Sequence, residues 1–448
     1  MILHGQLQEH LIFLDGPPGQ AGGVLLFKGT SEDGCAGISG VQLPRPPQVR
    51  ASRVRVAAYL LVVLTAGAYL PSPLYAAYQH EFGFSDLLMT LIYATFALVS
   101  APALVLFGSM ADGLGPRVVL RSSTAVAAVA SLCFALATGP EWLLAGRAAQ
   151  GLALGAATGA ATKVITTNAA GGNLVKASVL ASAAFAAGTA AGPVAAGLLA
   201  QHAPAPHVLP FAVHLLLLAH GWHRASVLPG RTGSGRWKPA RPRIPAGMRL
   251  LFTGAAATGF LSWTAAGLFM AVVPAVLERA AGVDDLAVLG GIVSAVMICS
   301  MLSQPLVARC GAGAAQLTGL AALLVSLAAL AASGGSSLLV VLLAAVTAGV
   351  GHGLAYSGAN AAIDAAVPEE QRASTSSALY LAFYLGSGIP PVAVGLLTSW
   401  HPLPVAISWL STAAAALVPL TAIATALAAR RRKRARSPNR KPRSPKRT

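Results

Sequence analysis

Four polar side chains follow one another at steps of four residues within a long apolar segment: His352, Tyr356, Asn360 and Asp364. Residues four apart lie on neighbouring turns of a helix, so we expect one slanting polar stripe, with His352 about 22 Å from the start of its helix. Histidine titrates near neutral pH, which makes His352 a candidate proton relay together with Asp364. The alternatives are an ordinary hydrogen-bonded contact for His352 and a solvated helix end for Asp364.

The stretch GSMADGLGPRVVLR places an acid among glycines and arginines. Gly108 and Gly115 permit a tight turn, through which Arg117 and Arg121 can approach Asp112. Such a charge pair can form in one conformation and break in another, so we interpret the stretch as a candidate conformational latch. The alternative is a loop that carries positive charge only to set the membrane orientation.

A charged residue interrupts the apolar stretch LLAGRAAQGLALGAA, where Gln150 and Gly151 follow Arg147. A charge inside a membrane segment is costly and usually faces the protein interior or a water-filled cavity. The alternative is that Arg147 extends its side chain to the outer lipid headgroups.

A proline lies among small residues in GTAAGPVAAG, which contains Gly188, Gly192, Pro193 and Gly197. Small residues let two membrane helices approach closely, and neighbouring helices can satisfy the carbonyl that a proline leaves free. We therefore predict a kinked helix pressed against a partner at the interface between two halves of the protein. The alternative is a tightly packed helix without a role in gating.

Aromatic residues of the apolar segments are candidates for the wall of a ligand cavity. Their rings favour flat, apolar or cationic ligands, whereas the scarcity of buried acids and the presence of an arginine favour a neutral or anionic one. The alternative is packing or contact with lipid. The candidate wall residues are Tyr59, Tyr69, Arg147, Trp263, Tyr356, Asn360, Tyr380 and Tyr384.

The composition indicates which elements must position these residues. Of 448 residues, 55% are hydrophobic and only 10% are charged, whereas soluble domains have about 25% charged residues. Several stretches reach the roughly 20 apolar residues that cross a bilayer as a helix. The chain is therefore predicted to be an all-α polytopic membrane protein. It has no nucleophile–base constellation, phosphate loop or metal-ligand spacing, so we expect no enzyme activity, no cofactor and no metal site.

Twelve spans are predicted, in two halves of similar length. The first six are 54–78, 86–108, 118–138, 142–169, 175–200 and 207–228, and the second six are 249–278, 286–308, 314–332, 337–363, 376–398 and 403–428. We expect five regions: a disordered extension (1–53), an N-terminal six-helix bundle (54–228), a cytoplasmic linker (229–248), a C-terminal six-helix bundle (249–428) and a disordered basic tail (429–448).

The net charge of +17 is concentrated in the linker, the tail and alternate loops. With the N-terminus in the cytoplasm, the outer loops offer only Arg279, so both termini are predicted to be cytoplasmic in a plasma-membrane protein. The tail RRRKRARSPNRKPRSPKRT directly follows a span, which favours contact with anionic lipid over nucleic acid.

Together these motifs resemble the major facilitator superfamily over about residues 54–428. The latch loop looks like its G-x-x-x-D-x-x-G-x-R motif, the fourth span resembles its R-x-x-Q-G pattern, and the fifth resembles its antiporter motif G-x-x-x-G-P-x-x-G-G. LPSPLYAAYQHEFGFS and VPEEQRASTSSALYLAFYLGSGIPPVAVG look like bacterial drug or sugar efflux members. The resemblance implies twelve helices in two pseudo-symmetric six-helix bundles.

The resemblance also implies a function. The antiporter motif goes with exporters that exchange substrate for protons, so we expect a monomeric secondary transporter that exports small molecules by alternating access. The alternatives are an importer or facilitator of a sugar-like solute with the same fold, and a membrane sensor or scaffold that moves no substrate.

Overall fold

A computed structural model of the chain describes residues 24–28, 38–42, 47–169, 174–230, 244 and 247–436. These residues form one small antiparallel ribbon of two strands, β1 (Val24–Lys28) and β2 (Ile38–Gln42), and otherwise helices. The helices of the first half are α1 (Pro47–Tyr69), α2 (Tyr75–Phe82), α3 (Asp86–Phe107), α4 (Met110–Gly113), α5 (Pro116–Ala135), α6 (Pro140–Thr167), α7 (Leu174–His202) and α8 (Leu209–Arg224). Those of the second half are α9 (Arg249–Ala271), α10 (Val273–Ala281), α11 (Leu286–Ser303), α12 (Leu306–Cys310), α13 (Ala312–Ser333), α14 (Leu338–Asp364), α15 (Glu369–Leu397) and α16 (Leu403–Arg436).

Helices occupy each of the twelve predicted spans, and the fold is the all-α arrangement of two six-helix bundles. Ten of the described helical segments are long and apolar enough to cross a membrane. The other two predicted spans are α6, which carries Glu141, Arg147 and Lys163, and α8, which has only 16 residues. Arginine and lysine lower the mean hydropathy of α6. This explains why α6 is not among the ten most apolar segments although it occupies the position of the fourth span.

The first helix of each half is broken, where the sequence predicted one continuous span. In the first half, α1 ends at Tyr69 and α2 starts at Tyr75, because Pro71 and Pro73 cannot continue the ladder of backbone hydrogen bonds. In the second half, α9 ends at Ala271, one residue before α10, which carries Pro274 in its first turn.

The backbone repeats itself between the halves. Gly115 precedes α5 with φ of 85° and ψ of 147°, and Gly311 precedes α13 with φ of 79° and ψ of 151°. Only glycine adopts this conformation at little cost, so both positions require it. The two halves thus turn into their third span in the same way, after the short helices α4 and α12, and this correspondence makes the bundles pseudo-symmetric.

Helix packing follows the same repeat. Within the first half, α6 packs on α3 and α5, and α1 packs on α7. Within the second half, α14 packs on α11 and α13, and α9 packs on α15. Two extensive contacts join the halves, α3 with α15 and α7 with α11, and these are equivalent pairs under the repeat.

Parts of the predicted regions lie outside the described residues. The linker 229–248 is described only at 229–230, 244 and 247–248, and the tail only as far as Arg436. The described part of the tail is helical, since α16 continues eight residues beyond the predicted end of its span. The extension 1–53 was predicted without regular structure, whereas β1 and β2 pair within it and α1 already begins at Pro47.

Candidate functional site

An ion pair joins the two halves at the end of the bundle that carries α2 and α10. Arg279 donates to both carboxylate oxygens of Asp86, from Nη1 to Oδ2 at 3.0 Å and from Nη2 to Oδ1 at 2.7 Å. Its Nη2 also donates to Gln79 at 2.6 Å, and His80 lies 2.8 Å from a carboxylate oxygen of Glu278. The sequence singled out Arg279 only as an outer-loop charge, because its partners lie about two hundred residues away in the chain.

Buried polar contacts continue this seam toward the membrane centre. The hydroxyl of Tyr93, on α3, lies 3.1 Å from the hydroxyl of Ser387, on α15, and 3.8 Å from the sulfur of Met270. On the other side, Ser294 of α11 donates to the carbonyl oxygen of Ala190 on α7 at 2.7 Å. These bonds hold the halves together away from water, where an unpaired hydroxyl is costly.

The small residues of α7 lie against helices of both halves. A Cβ atom at Gly188 would overlap with Thr65 and the Val62 carbonyl, and one at Gly192 would overlap with the Ala66 carbonyl, all on α1. A Cβ atom at Gly197 would overlap with the carbonyl of Leu286 at the start of α11. The glycines of this stretch thus lie at close contacts of α7 with both halves, and their role in gating stays a prediction.

Pro193 itself lies against the second half. A Cβ atom at Gly290 of α11 would overlap with the carbonyl oxygen of Pro193. The proline leaves the Thr189 carbonyl without its helical donor. Ser294 donates one position further on, to Ala190, so α11 supplies a polar contact in the turn that the proline disturbs.

Arg147 and Gln150 bind the broken end of α1. The last carbonyls of a helix have no partner in the helix itself. Arg147 Nη1 donates to the carbonyl of Ala68 at 2.6 Å, and Gln150 Nε2 donates to the carbonyl of Gly67 at 2.8 Å. The arginine also donates to Gln150 Oε1 at 2.8 Å, so the two side chains act together as a cap for α1.

The side chain of Arg147 is completely buried, with 0% of its surface exposed. The alternative that it extends to the outer headgroups is therefore wrong. Its guanidinium lies 4.7 Å from the ring centre of Phe96 and 5.5 Å from that of Tyr93, and a second bond reaches the Tyr93 carbonyl. Aromatic faces and carbonyl oxygens thus surround the positive charge.

Gly151 lies on the adjacent turn of α6 and allows the approach of α3. A Cβ atom there would overlap with the Phe96 carbonyl oxygen. The three residues of the fourth-span motif therefore contact two different helices: Gly151 meets α3, and Arg147 with Gln150 meets the end of α1.

Asp112 does not pair with Arg117 in this conformation, and a latch between them stays a prediction for another one. Asp112 pairs with Lys163 of α6, and both side chains are largely exposed. Arg117 Nε instead donates to the carbonyl of Leu228 at 2.7 Å, beyond the end of α8. The cause is the turn at Gly115, after which Arg117 lies in the first turn of α5, beside α8, while α4 packs on α6.

Gly108 supports the latch loop by packing rather than by its torsion angle. It ends α3 in a helical conformation. A Cβ atom at Gly159 of α6 would overlap with its carbonyl oxygen, so the two glycines bring α3 and α6 together next to the Asp112–Lys163 pair.

Aromatic rings gather on the second half around His352. The ring of Trp263 meets that of His352 edge-on at 4.9 Å, and the ring of Tyr356 stacks on the histidine at 5.5 Å. Phe383 lies 5.2 Å from Tyr356 and 5.5 Å from Tyr380. Four of the predicted cavity and relay residues therefore form one cluster, to which the sequence analysis had not assigned Phe383.

Two nitrogen atoms of this cluster have no hydrogen-bond partner among the described residues: His352 Nε2 and Trp263 Nε1. The other ring nitrogen of His352 lies 2.8 Å from the hydroxyl of Ser300. Buried polar atoms are nearly always paired, so His352 Nε2 is available to a ligand or a proton, and Trp263 Nε1–H can donate to a ligand.

The polar stripe below His352 does not form a continuous chain of contacts. Asn360 donates to the carbonyl of Tyr356 at 3.1 Å, within its own helix. Asp364 ends α14 with an exposed side chain, about 18 Å along the helix from His352. The structure thus brings His352 and Tyr356 together and leaves Asp364 apart at the helix end.

Three candidate cavity residues remain, and one of them, Tyr59, lies apart from the others. Tyr69 is buried at the end of α1, where its ring meets Phe96 at 5.8 Å. Tyr384 is partly buried and packs against the main hydrophobic core. Tyr59 faces α8, because its hydroxyl donates to the carbonyl of Leu217 at 2.9 Å, so it lies apart from the other candidates. Within the described residues, no three His, Cys, Asp or Glu side chains are close enough to hold a metal ion.

Two pseudo-symmetric six-helix bundles that meet along a polar seam are the layout of secondary transporters of the membrane. The sequence profile of the Major Facilitator Superfamily matches residues 57–391 and 255–448. The chain therefore belongs to this superfamily, as its motifs predicted. No protein among the curated sequences matches the chain significantly.

Solved structures show the same fold. A POT family transporter in complex with 5-aminolevulinic acid matches with a TM-score of 0.71 and 11% identity, over 86% of this chain and 97% of its own. A bacterial homolog of the human lysosomal transporter Spinster, inward-facing and unoccupied, matches with a TM-score of 0.68 and 17% identity, over 87% and 99%. The nucleoside transporter NupG matches with a TM-score of 0.62 and 14% identity, over 85% and 99%. At these identities the similarity establishes the fold alone.

Proposed function

We propose that the protein is a proton-coupled exporter of small molecules that works by alternating access. The main support is the position of the antiporter-like motif. Gly188 and Gly192 let α7 pack on α1, and Pro193 and Gly197 lie against α11 of the other half. A helix that packs closely on both bundles can transmit the movement of one bundle to the other.

The substrate site proposed here is the aromatic cluster of the second half, with Tyr69 and Tyr384 as further wall residues. Trp263, Tyr356 and Tyr380 offer ring faces, while His352 Nε2 and Trp263 Nε1 offer polar contacts. Small-molecule sites bind mainly through apolar surface and fix the orientation of the ligand with a few polar atoms. A flat compound with at least one hydrogen-bond acceptor fits this chemistry.

His352 is the proposed proton carrier. The only acid that sequence analysis paired with it, Asp364, lies about 18 Å away along α14. A histidine with one unpaired ring nitrogen can take up a proton when water enters and release it when the cavity opens to the other side. Proton binding and substrate binding at one cluster would compete, which is the basis of exchange.

The orientation follows from the loop charges. With both termini in the cytoplasm, the end of the bundle that carries Arg279 and Asp86 faces outward, and Asp112, Lys163 and Arg117 face the cytoplasm. The Arg279–Asp86 pair then closes the outer side of a plasma-membrane protein. We further propose that the chain works as a monomer without enzyme activity and that its basic tail lies on anionic lipid.

Reconstitution into vesicles tests the proposal directly. The purified protein is inserted into vesicles that contain a pH-sensitive dye, a pH gradient is imposed, and a panel of flat aromatic and sugar-like compounds is offered. If the protein is an exporter, a transported compound moves across the membrane in one direction while the dye reports that protons move in the other. Movement of substrate and protons in the same direction would identify an importer, and binding without flux would identify a sensor or scaffold.

A further inference from the structure

A basic pocket lies between α1 and α8, outside the seam and the aromatic cluster. The cavity has a volume of about 420 Å³ and is lined by Arg55, Val56, Tyr59, His220 and Arg224. Three of these five residues carry or can carry a positive charge, and none is acidic. The pocket thus presents cations without a carboxylate from its own wall.

The surrounding chain offers no acid nearby in sequence. Residues 34–80 and 142–277 contain neither aspartate nor glutamate. The side chains of Arg55, His220 and Arg224 are exposed at the pocket rim, and Tyr59 holds the two helices together by its bond to the Leu217 carbonyl at 2.9 Å. The lining residues therefore leave these positive charges open to an anion from outside the chain.

The end of α8 beside the pocket carries the residue types of a membrane–water boundary. Arg224 ends α8, and Trp222, two residues earlier, is 43% exposed while its ring lies 5.4 Å from the guanidinium of Arg121. Tryptophans are enriched where the membrane meets water. An exposed tryptophan beside an arginine at the end of a membrane helix marks this boundary.

One face of α8 matches a phospholipid, with apolar residues for the acyl chains and basic residues for the headgroup. Val213, Leu217, His220 and Arg224 follow at steps of four, three and four residues, so they lie on one side of the helix. The first two are 36% and 42% exposed, and the last two line the basic pocket. Apolar surface inside the membrane therefore leads directly to positive charge at its edge.

We propose that this pocket binds the headgroup of an anionic phospholipid, whose acyl chains lie along the exposed apolar residues of α8. Arg55 and Arg224 bind the phosphate from two helices, so the lipid bridges α1 and α8. Basic pockets between membrane helices on the cytoplasmic side are suited to such headgroups. The proposal is independent of the transported substrate and of the direction of transport.

The test measures lipid binding to the purified full chain by native mass spectrometry. Phosphatidylglycerol is titrated against phosphatidylcholine, first with the unmodified protein and then with the double variant Arg55→Gln/Arg224→Gln. We expect the double variant to bind phosphatidylglycerol about thirtyfold more weakly, since each basic residue at the membrane surface contributes about 1 kcal/mol. The matched control Arg249→Gln/Arg309→Gln removes two exposed arginines of the other half and should leave the affinity unchanged.

Two further arms make the outcome decisive. Inorganic phosphate at millimolar concentration should not displace the lipid, because the apolar contacts with α8 are absent; complete displacement would instead indicate a free-anion site and overturn the proposal. If the double glutamine variant does not fold, Arg55→Lys/Arg224→Lys and a salt titration of the unmodified protein replace it. Equal binding of both lipids at all salt concentrations, or unchanged affinity in the glutamine variant, also overturns the proposal.

Discussion

The guanidinium of Arg279 and the carboxylate of Asp86 form a two-bonded ion pair that joins the second half of the protein to the first. The two N–O distances are 3.0 and 2.7 Å, and the side chains are 36% and 14% exposed. A parallel pair of this geometry is among the stronger ionic contacts, although partial exposure reduces its contribution. Because Gln79 binds the same guanidinium, the pair ties α10 to both α2 and α3.

Replacing this arginine should open the seam. In Arg279→Gln, the conformation in which the two halves meet at the α2–α10 end should lose about 0.5–1 kcal/mol of stability. The ratio of molecules with this end open to molecules with it closed should then rise about two- to fivefold. Spin labels at Val208→Cys and Trp400→Cys, in a chain whose native cysteines are replaced, report the distance between the two ends in membranes. Arg249→Gln, which removes an exposed charge at the opposite end of the second half, serves as the control. An unchanged distance distribution in the Arg279 variant would show that the pair does not hold the closed state.

The Arg279–Asp86 pair also illustrates what sequence can and cannot predict. The helices were predictable because lipid imposes length and apolarity on each span separately. The partners of single charges were not, because Asp86 lies 193 residues from Arg279 and Asp112 meets Lys163 on a neighbouring helix rather than the nearby Arg117. The sequence pattern predicts the local geometry of each helix, whereas the partner of a charged side chain depends on how the helices pack in three dimensions.

The predicted site shows the same division. The α7 glycines lie against α1 and α11, and sequence can indicate such contacts because close helix packing depends on residue size. The role of this motif in exchange stays a prediction. The grouping of Trp263 with His352 required the contact between α9 and α14, and Phe383 was missed because an aromatic residue in a span has no distinctive signal. Tyr59 was misplaced since its direction depends on α8.

Two adjacent glycines of α11 provide a test of the α7–α11 seam. A Cβ atom at Gly290 would overlap with the Pro193 carbonyl, whereas one at Gly291 meets nothing within 4 Å. Gly290→Ala should therefore destabilise the joined arrangement by about 1–3 kcal/mol through overpacking. Gly291→Ala should be neutral or slightly stabilising, because alanine favours the helix by up to about 1 kcal/mol. Melting of the purified variants, with transport in vesicles, measures the difference; equal effects of the two substitutions would contradict the close approach.

The two side chains that cap α1, Arg147 and Gln150, should contribute different amounts to the free energy of unfolding. Arg147→Lys keeps the charge but loses the paired donors, and should lower the free energy of unfolding by about 2 kcal/mol; Gln150→Leu leaves the Gly67 carbonyl unpaired and should cost about 1 kcal/mol. Thermal melting in detergent gives both values. Gln316→Leu is the matched control, because this buried glutamine donates only at 3.3 Å to carbonyls within helices. A loss in the control as large as in Gln150→Leu would argue against a specific cap.

Variants of two buried histidines can test whether His352 carries protons or only packs. His214 has both ring nitrogens engaged, 2.7 Å from the Ser131 hydroxyl and 3.0 Å from the Val63 carbonyl, whereas His352 Nε2 has no partner among the described residues. His352→Gln should therefore abolish transport driven by a pH gradient. Exchange of labelled for unlabelled substrate should continue at a reduced rate, because glutamine cannot carry the proton but keeps a polar group for the substrate.

His214→Gln should have the opposite pattern. It removes a tie between α1, α5 and α8, so we expect a lower melting temperature but a preserved response to the pH gradient in the protein that remains folded. Both variants are compared in vesicles at the same internal and external pH, with and without the gradient. If His352→Gln still follows the gradient, protons enter through another group, and the unpaired nitrogen of His352 serves the substrate alone.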